Sequence, residues 1–122
     1  MFFPRYLRFP RPLPRIIAAA NSHCAMSSRL SGKTILITGA SAGIGRSTAL
    51  EFSRASPNIN LIVTARREDA LKELARSIES ESSGRTKVLP VRLDVSSPDD
   101  IRGFLDRLPE EWRGVDILVN NA

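Results

Sequence analysis

The stretch that decides the fold is Thr38-Gly39-Ala40-Ser41-Ala42-Gly43-Ile44-Gly45. It follows a continuous apolar run at residues 34–38 and leads into residues 44–53, which have apolar side chains available to pack a helix. A continuous rather than alternating apolar run indicates a strand buried on both faces, as in a parallel sheet. A glycine-rich turn between such a strand and a helix is the context that a dinucleotide site requires.

Each glycine of this turn has its own physical role. Gly39 permits a tight turn off the strand, and Gly43 lets the backbone approach a pyrophosphate without a Cβ in the way. Gly45 permits close packing of the helix on the sheet. The helix N-terminus offers unpaired N–H groups and the positive end of a dipole to phosphate oxygens. A turn that only joins strand to helix is the alternative. The other predicted binding residues of the turn are Ser41, Ala42 and Ile44.

Strands and helices alternate along the rest of the chain. The pattern predicts further strands at residues 61–63, 88–93 and 115–119. It predicts a second helix at residues 68–80, in which Glu68 and Lys72 form a favourable i,i+4 ion pair. It also predicts a third helix that Ser97 caps, with Pro98 in its first turn. The expected buried stripe of that third helix is Ile101, Phe104, Leu105 and Leu108. The order β-α-β-α-β-α-β predicts an α/β fold with a parallel sheet and helices on its faces.

Charge is distributed unevenly. The chain has six basic residues and no acid up to Lys33, and twelve basic against thirteen acidic residues from Thr34 onward. The near-neutral second part argues against a nucleic-acid-binding surface. Residues 1–30 are therefore predicted to be a leader outside the fold, and residues 31–122 to be a partial dinucleotide-binding domain. An Arg-rich, acid-free leader is typical of a mitochondrial transit peptide, while a disordered extension on a cytoplasmic protein is the alternative.

Metal and membrane sites have little support in the sequence. Cys24 and His23 are the only cysteine and histidine, so no disulfide within the chain and no cluster with metal-ligand spacing is expected. No apolar run approaches the roughly 20 residues that a membrane-spanning helix needs.

The turn TGASAGIG resembles the TGxxxGIG fingerprint of the short-chain dehydrogenase/reductase family. The resemblance covers about residues 31–122 and implies the N-terminal half of a Rossmann-type doubly wound parallel sheet, with four strands and three helices. It also implies that the fourth strand lies beside the first. The segment TARREDALKEL and the last residues are similar to NADP-dependent 3-hydroxy acid dehydrogenases, which narrows the expected substrate to a small 3-hydroxy acid such as serine.

Arg66 and Arg67 favour NADP over NAD. They follow the second strand, where NAD enzymes place a ribose-binding carboxylate about 20 residues past the turn. No acid precedes Glu68 in this loop. Arginine pairs bidentately with a phosphate, whereas a carboxylate repels it. A solvated pair of loop arginines is the alternative.

Two further segments gain cofactor roles from the resemblance. Asp94-Val95 matches an Asp-Val step in which the Asp lies near the adenine amino group, although a helix-entry Asp without a ligand role is the alternative. Asn120-Asn121-Ala122 matches the family's NNAG motif without its glycine. The resemblance implies that Asn120 stabilises the sheet and that Asn121 and Ala122 line the adenosine ribose.

Catalytic residues cannot be assigned in this chain. The family's chemistry uses a Tyr-x-x-x-Lys pair with a Ser and a further Asn, and the only tyrosine here is Tyr6, with Pro10 four residues later. The chain is therefore expected to be inactive alone, as part of a homo-oligomeric oxidoreductase acting on an alcohol or carbonyl compound. A non-catalytic nucleotide-binding module and a non-functional truncated product are the alternatives. With the fourth strand as an apolar edge, residues 28–122 alone are expected to be poorly soluble or only partly folded.

Overall fold

A computed structural model describes residues 29–56 and 58–122. It contains four strands, β1 (Thr34–Thr38), β2 (Asn60–Ala65), β3 (Lys87–Arg92) and β4 (Ile117–Val119). The helices are α1 (Gly43–Ala55), α2 (Glu68–Glu81), α3 (Pro98–Arg102) and α4 (Phe104–Arg107), followed by a 3₁₀ turn at Glu110–Trp112. Residues 1–28, which hold nearly all of the predicted leader, lie outside the described part.

The sheet is parallel throughout, in the order β3-β2-β1-β4. This confirms the predicted α/β class and the position of β4 beside β1. Asp116 fixes the β1–β4 register at the start of both strands. Its carboxylate accepts from the Thr34 N–H at 2.9 Å, and its own N–H donates to the Thr34 carbonyl at 2.9 Å.

Helices cover both faces of the sheet, as in a doubly wound fold. Ile35 and Ile37 of β1 are fully buried in one core cluster, which also contains Ala49 of α1 and four residues of α2. Leu36, between them in sequence, points to the opposite face and packs with Phe104. Because successive side chains of a strand alternate between faces, the three inner positions of β1 must all be apolar to fill both cores. The α2 residues are Leu71, Leu74, Ala75 and Ile78.

The predicted third helix is not continuous, which corrects the expectation of three helices. Gly103 separates α3 from α4 with φ −91° and ψ 3°. Phe104 is buried, but Ile101 and Leu105 are about half exposed, so the predicted stripe does not face one core. Glycine weakens a helix interior because it lacks a side chain that restricts the unfolded backbone. The cap is confirmed, since the Ser97 hydroxyl accepts from the Asp100 N–H at 3.4 Å.

Other elements begin or end at residues different from those predicted. Helix α1 runs two residues further than predicted, to Ala55, and β4 begins at Ile117 rather than at residue 115. Ile44, predicted to be available for packing, is 76% exposed. In contrast, the predicted ion pair between Glu68 and Lys72 is present, with 3.0 Å between Glu68 Oε1 and Lys72 Nζ.

Two further features concern the chain start and membranes. Leu30 packs against the core cluster that contains Ile35, so the described structure begins before β1. None of the helices within residues 29–56 and 58–122 is long and apolar enough to cross a bilayer.

Candidate functional site

The carboxyl ends of all four strands meet at one cavity of about 680 Å³. In open α/β sheets, ligands bind in the crevice outside these strand ends, next to the point where the strand order reverses. The reversal lies here at β1, which has β2 on one side and β4 on the other. The volume is within the range of small-molecule sites, roughly 300–1,000 Å³. Lining residues are Gly39 and Ser41 after β1, Ala65, Arg66 and Arg67 at β2, Leu93, Asp94, Val95 and Ser96 after β3, and Ala122 after β4.

The glycine turn has two residues in the left-handed backbone region. Gly39 has φ +65° and Gly43 has φ +61°. L side chains rarely adopt this conformation, so both positions favour glycine. A Cβ at Gly39 would lie 3.1 Å from Ala122 Cα, whereas one at Gly43 would have no heavy atom within 4 Å. The open space at Gly43 leaves the backbone accessible to a ligand.

At the N-terminus of helix α1, no capping side chain and no carboxylate of the first turn competes with a ligand for the N–H groups. Its N-cap is Ala42, which has no side-chain oxygen to accept from the first N–H groups, and the first turn contains no acid. These unsatisfied donors and the helix dipole favour an anion. The turn and the helix start therefore fit the phosphates of a dinucleotide.

Gly45 is the contact point between α1 and two other parts of the site. A Cβ at this position would overlap the carbonyl oxygen of Gly39 and lie 2.7 Å from Asn121 Nδ2. The Asn121 amide donates to the same Gly39 carbonyl at 3.4 Å. The side chain of Asn121 thus lies against the glycine turn, while Ala122 lines the cavity.

Thr38 links β1 to the segment after β4, a role in the site that its position in the sequence does not predict. Its hydroxyl accepts from the N–H groups of Asn121 at 2.9 Å and Ala122 at 3.2 Å. It lies 3.2 Å from Asn120 Oδ1, to which it can donate. The Thr38 side chain is buried, with 6% of its surface exposed. One hydroxyl therefore fixes the segment that holds Ala122 beside Gly39.

Arg66 and Arg67 lie at the cavity, at the end of β2, and both are exposed. Within the described residues, neither guanidinium forms an ion pair with a carboxylate. Two free guanidinium groups beside a glycine turn fit a ligand with a phosphate outside its pyrophosphate, because arginine pairs with phosphate in a bidentate manner.

Asp94 is the acid of the cavity, and it is held by Ser96. The Ser96 hydroxyl donates to Asp94 Oδ1 at 2.6 Å, and the Ser96 N–H donates to the same oxygen at 3.0 Å. The hydroxyl bond is the largest cause that lowers the pKa of Asp94, followed by the N–H bond. The charges of Arg66 and Arg92 lower the pKa further, so Asp94 is ionised at neutral pH. An ionised carboxylate accepts hydrogen bonds and donates none.

The structure separates the predicted binding residues into three groups. Seven line the cavity at the strand ends: Gly39, Ser41, Arg66, Arg67, Asp94, Val95 and Ala122. Gly43 and Ile44 instead line a second cavity along α1, also of about 680 Å³, with Leu30 and Phe52. Ala42, Gly45 and Asn121 line neither cavity. Ala42 is the exposed N-cap of α1, whereas Gly45 and Asn121 lie against the Gly39 carbonyl. The described residues contain no group of three or more His, Cys, Asp or Glu side chains that could hold a metal.

Known proteins are similar to this chain in sequence and in fold. The profile of the family described as short chain dehydrogenase matches residues 33–122. The NADP-dependent 3-hydroxy acid dehydrogenase of Schizosaccharomyces pombe is 48% identical over 95 residues, which are 78% of this chain and 36% of that protein.

Two solved structures are similar in fold and sequence. L-sorbose reductase from Gluconobacter frateurii, complexed with NADPH and L-sorbose, has a TM-score of 0.67 and 36% identity, covering 76% of this chain and 34% of that one. A short-chain dehydrogenase from Sphingobium yanoikuyae in complex with NADPH has a TM-score of 0.62 and 38% identity, covering 74% of this chain and 34% of that one. The chain thus spans about a third of the length of these proteins.

Proposed function

Because the chain belongs to the short-chain dehydrogenase family, we propose that it is the cofactor-binding part of an NADP-dependent oxidoreductase that interconverts an alcohol and a carbonyl compound. The observation that carries this proposal is the cavity at the four strand ends, which joins a glycine turn to two arginines without carboxylate partners among the described residues. The relative from Schizosaccharomyces pombe and the two NADPH complexes support NADP as the cofactor.

Each part of the site has a role towards NADP. The turn at Gly39–Gly45 and the start of α1 would bind the pyrophosphate, and Arg66 with Arg67 would bind the 2′-phosphate. The Asp94 carboxylate would accept a hydrogen bond from the adenine amino group. The nicotinamide ring would supply the hydride acceptor or donor. These residues orient the cofactor and take no part in proton transfer.

A small 3-hydroxy acid is the proposed substrate. The support is the 48% identity to the Schizosaccharomyces pombe dehydrogenase, which exceeds the 36% and 38% identities to the two solved structures. This proposal is tested by assaying the full-length gene product with NADP⁺ and either L-serine or another short 3-hydroxy acid. NADPH formation is the quantity measured. Activity on secondary alcohols without a carboxylate, and none on 3-hydroxy acids, would contradict the proposed substrate but not the proposed cofactor.

A non-catalytic nucleotide-binding module is the second candidate. The glycine turn and the arginine pair at the cavity support binding of a dinucleotide, which both candidates require. Sequencing the transcript past the codon for Ala122 separates the two candidates. A glycine codon followed by a Ser and a Tyr-x-x-x-Lys pair supports the enzyme, whereas an immediate stop codon supports the module.

The arginine pair gives a prediction about cofactor preference. In the full-length gene product, Arg66→Ala combined with Arg67→Ala is expected to weaken NADPH binding by about ten- to a hundredfold, since hydrogen bonds to charged groups contribute roughly 1.5–3 kcal/mol. NADH binding should change much less, because NADH lacks the 2′-phosphate. Fluorescence titration with both dinucleotides measures the two affinities.

Arg76→Ala is the matched control, since Arg76 is an exposed residue on α2 that does not line the cavity. It removes a positive charge of the same kind and should leave both affinities within about twofold, given the screening of exposed charges. An equal loss of NADPH and NADH affinity in the double variant would assign the two arginines to general stability rather than to phosphate recognition.

A further inference from the structure

Ser96 holds one oxygen of the Asp94 carboxylate with two hydrogen bonds. Its hydroxyl and its backbone N–H both donate to Asp94 Oδ1, at 2.6 Å and 3.0 Å. Ser96 is exposed and lines the cavity together with Asp94. Its own position is fixed by the chain that follows, since the Ser97 N–H donates to the Asp94 carbonyl at 3.0 Å.

The second carboxylate oxygen is left available to a ligand. Among the described residues, no group donates to Asp94 Oδ2 within hydrogen-bond distance. With Oδ1 held by two donors, the plane of the carboxylate is fixed and Oδ2 is the only site that can accept a further strong hydrogen bond. A charged acceptor of this kind selects a ligand group that donates, such as an amino group, and disfavours one that accepts.

Within the described residues, the Asp94 carboxylate accepts from Ser96 and not from the arginines whose charges act on it. Arg66 lines the same cavity, and the charges of Arg66 and Arg92 both act on Asp94. Yet neither guanidinium forms an ion pair with this carboxylate in the described part of the chain. An exposed ion pair contributes little free energy, whereas two hydrogen bonds to a charged oxygen contribute more. Without the bonds from Ser96, the Asp94 carboxylate could turn towards Arg66 and pair with its guanidinium, which is proposed to bind the 2′-phosphate.

We propose that Ser96 is a positioning residue: it fixes Asp94 so that Oδ2 accepts from the exocyclic amino group of adenine, and it thereby sets the selectivity of the site for adenine over a purine with a carbonyl at that position. The inference rests on the proposed binding of NADP. The hydroxyl of Ser96 does not touch the dinucleotide in this account, and its effect passes through Asp94.

The test compares NADP⁺ with its hypoxanthine analogue, in which the adenine amino group is replaced by a carbonyl. Calorimetric titration of the full-length gene product should show NADP⁺ binding more tightly, by about tenfold. Ser96→Ala keeps the backbone N–H but loses the hydroxyl, and it should reduce this preference to about threefold or less. Ser96→Thr restores a hydroxyl and should recover most of the preference. Ser77→Ala on α2, whose hydroxyl bonds only the Glu73 carbonyl at 3.1 Å, is the control and should leave the preference unchanged.

A second readout needs no cofactor. In Ser96→Ala the pKa of Asp94 should rise towards its ordinary value, because the largest cause of its lowering is removed. The groups that act on this carboxylate besides Ser96 are Arg66 and Arg92, which are unchanged in the variant. Carboxyl carbon chemical shifts followed by NMR over acidic pH measure the pKa in both proteins.

The outcomes separate this inference from the proposed function. If the wild-type protein binds neither dinucleotide, the proposed function fails and the inference fails with it. If the wild-type protein prefers NADP⁺ and Ser96→Ala lowers both affinities by the same factor, or lowers neither, only the role of Ser96 is overturned. Loss of preference in Ser96→Ala with recovery in Ser96→Thr supports it.

Discussion

Gly45→Ala is expected to destabilise the protein by about 3 kcal/mol or to prevent folding, the largest effect of any single added methyl group that we predict. The added Cβ would overlap the Gly39 carbonyl oxygen and lie 2.7 Å from Asn121 Nδ2. The first of these contacts is with backbone, which cannot move away as a flexible side chain can. Helix α1 would have to shift off the sheet and carry the phosphate-binding turn with it. Urea unfolding of the full-length gene product measures the loss.

Gly114→Ala is the matched control for this prediction. Gly114 is exposed, and a Cβ there would have no heavy atom within 4 Å. The same chemical change should therefore alter the free energy of unfolding by less than about 1 kcal/mol. If Gly45→Ala were as stable as Gly114→Ala, the close approach of α1 to the Gly39 carbonyl would be wrong.

Thr38→Val is expected to cost about 2 kcal/mol in unfolding free energy and to weaken NADPH binding in the same protein. Valine has nearly the shape of threonine but cannot accept hydrogen bonds from the N–H groups of Asn121 and Ala122. Leaving a donor without its acceptor costs roughly 1–3 kcal/mol when water cannot replace it. The freed segment would no longer hold Ala122 against Gly39, so the cavity would lose one wall. Urea unfolding and NADPH titration measure the two effects.

Thr38→Ser separates the hydroxyl from the packing of the methyl group. Serine keeps the hydrogen bonds and loses one buried methyl, which costs about 1 kcal/mol. NADPH affinity should then remain within about threefold of wild type, while Thr38→Val falls by more than tenfold. Similar NADPH affinities in the two variants would show that the hydroxyl does not organise the site.

The parts of the fold that the sequence predicted are those encoded over short distances. The turn from Gly39 to Gly45 is a contiguous string, and its positive-φ glycines need no knowledge of the rest of the chain. The Ser97 cap and the pair between Glu68 and Lys72 are similarly local, and the structure contains both. The alternation of strands and helices was enough to predict a parallel sheet, and the family resemblance added that β4 lies beside β1.

The features that the sequence missed depend on contacts between distant residues or on weak local signals. The Thr38 hydroxyl bonds residues more than 80 positions away, and no local pattern marks it as different from any threonine at a strand end. Helix α3 ends at Arg102, just before Gly103, although apolar residues continue at helical spacing through Leu108. The spacing of apolar residues does not reveal the effect of a single glycine. Ser96 follows Asp94 closely enough that a serine two residues after an acid could have signalled the bond.

A crystal structure of the full-length gene product with NADP⁺ is the measurement that bears on the claim that the four strand ends form an NADP site. We expect the pyrophosphate at the backbone of Gly39–Gly45, the 2′-phosphate at Arg66 and Arg67, and the adenine amino group within hydrogen-bond distance of Asp94. A dinucleotide bound away from this edge of the sheet, or a 2′-phosphate that contacts neither arginine, would contradict the claim.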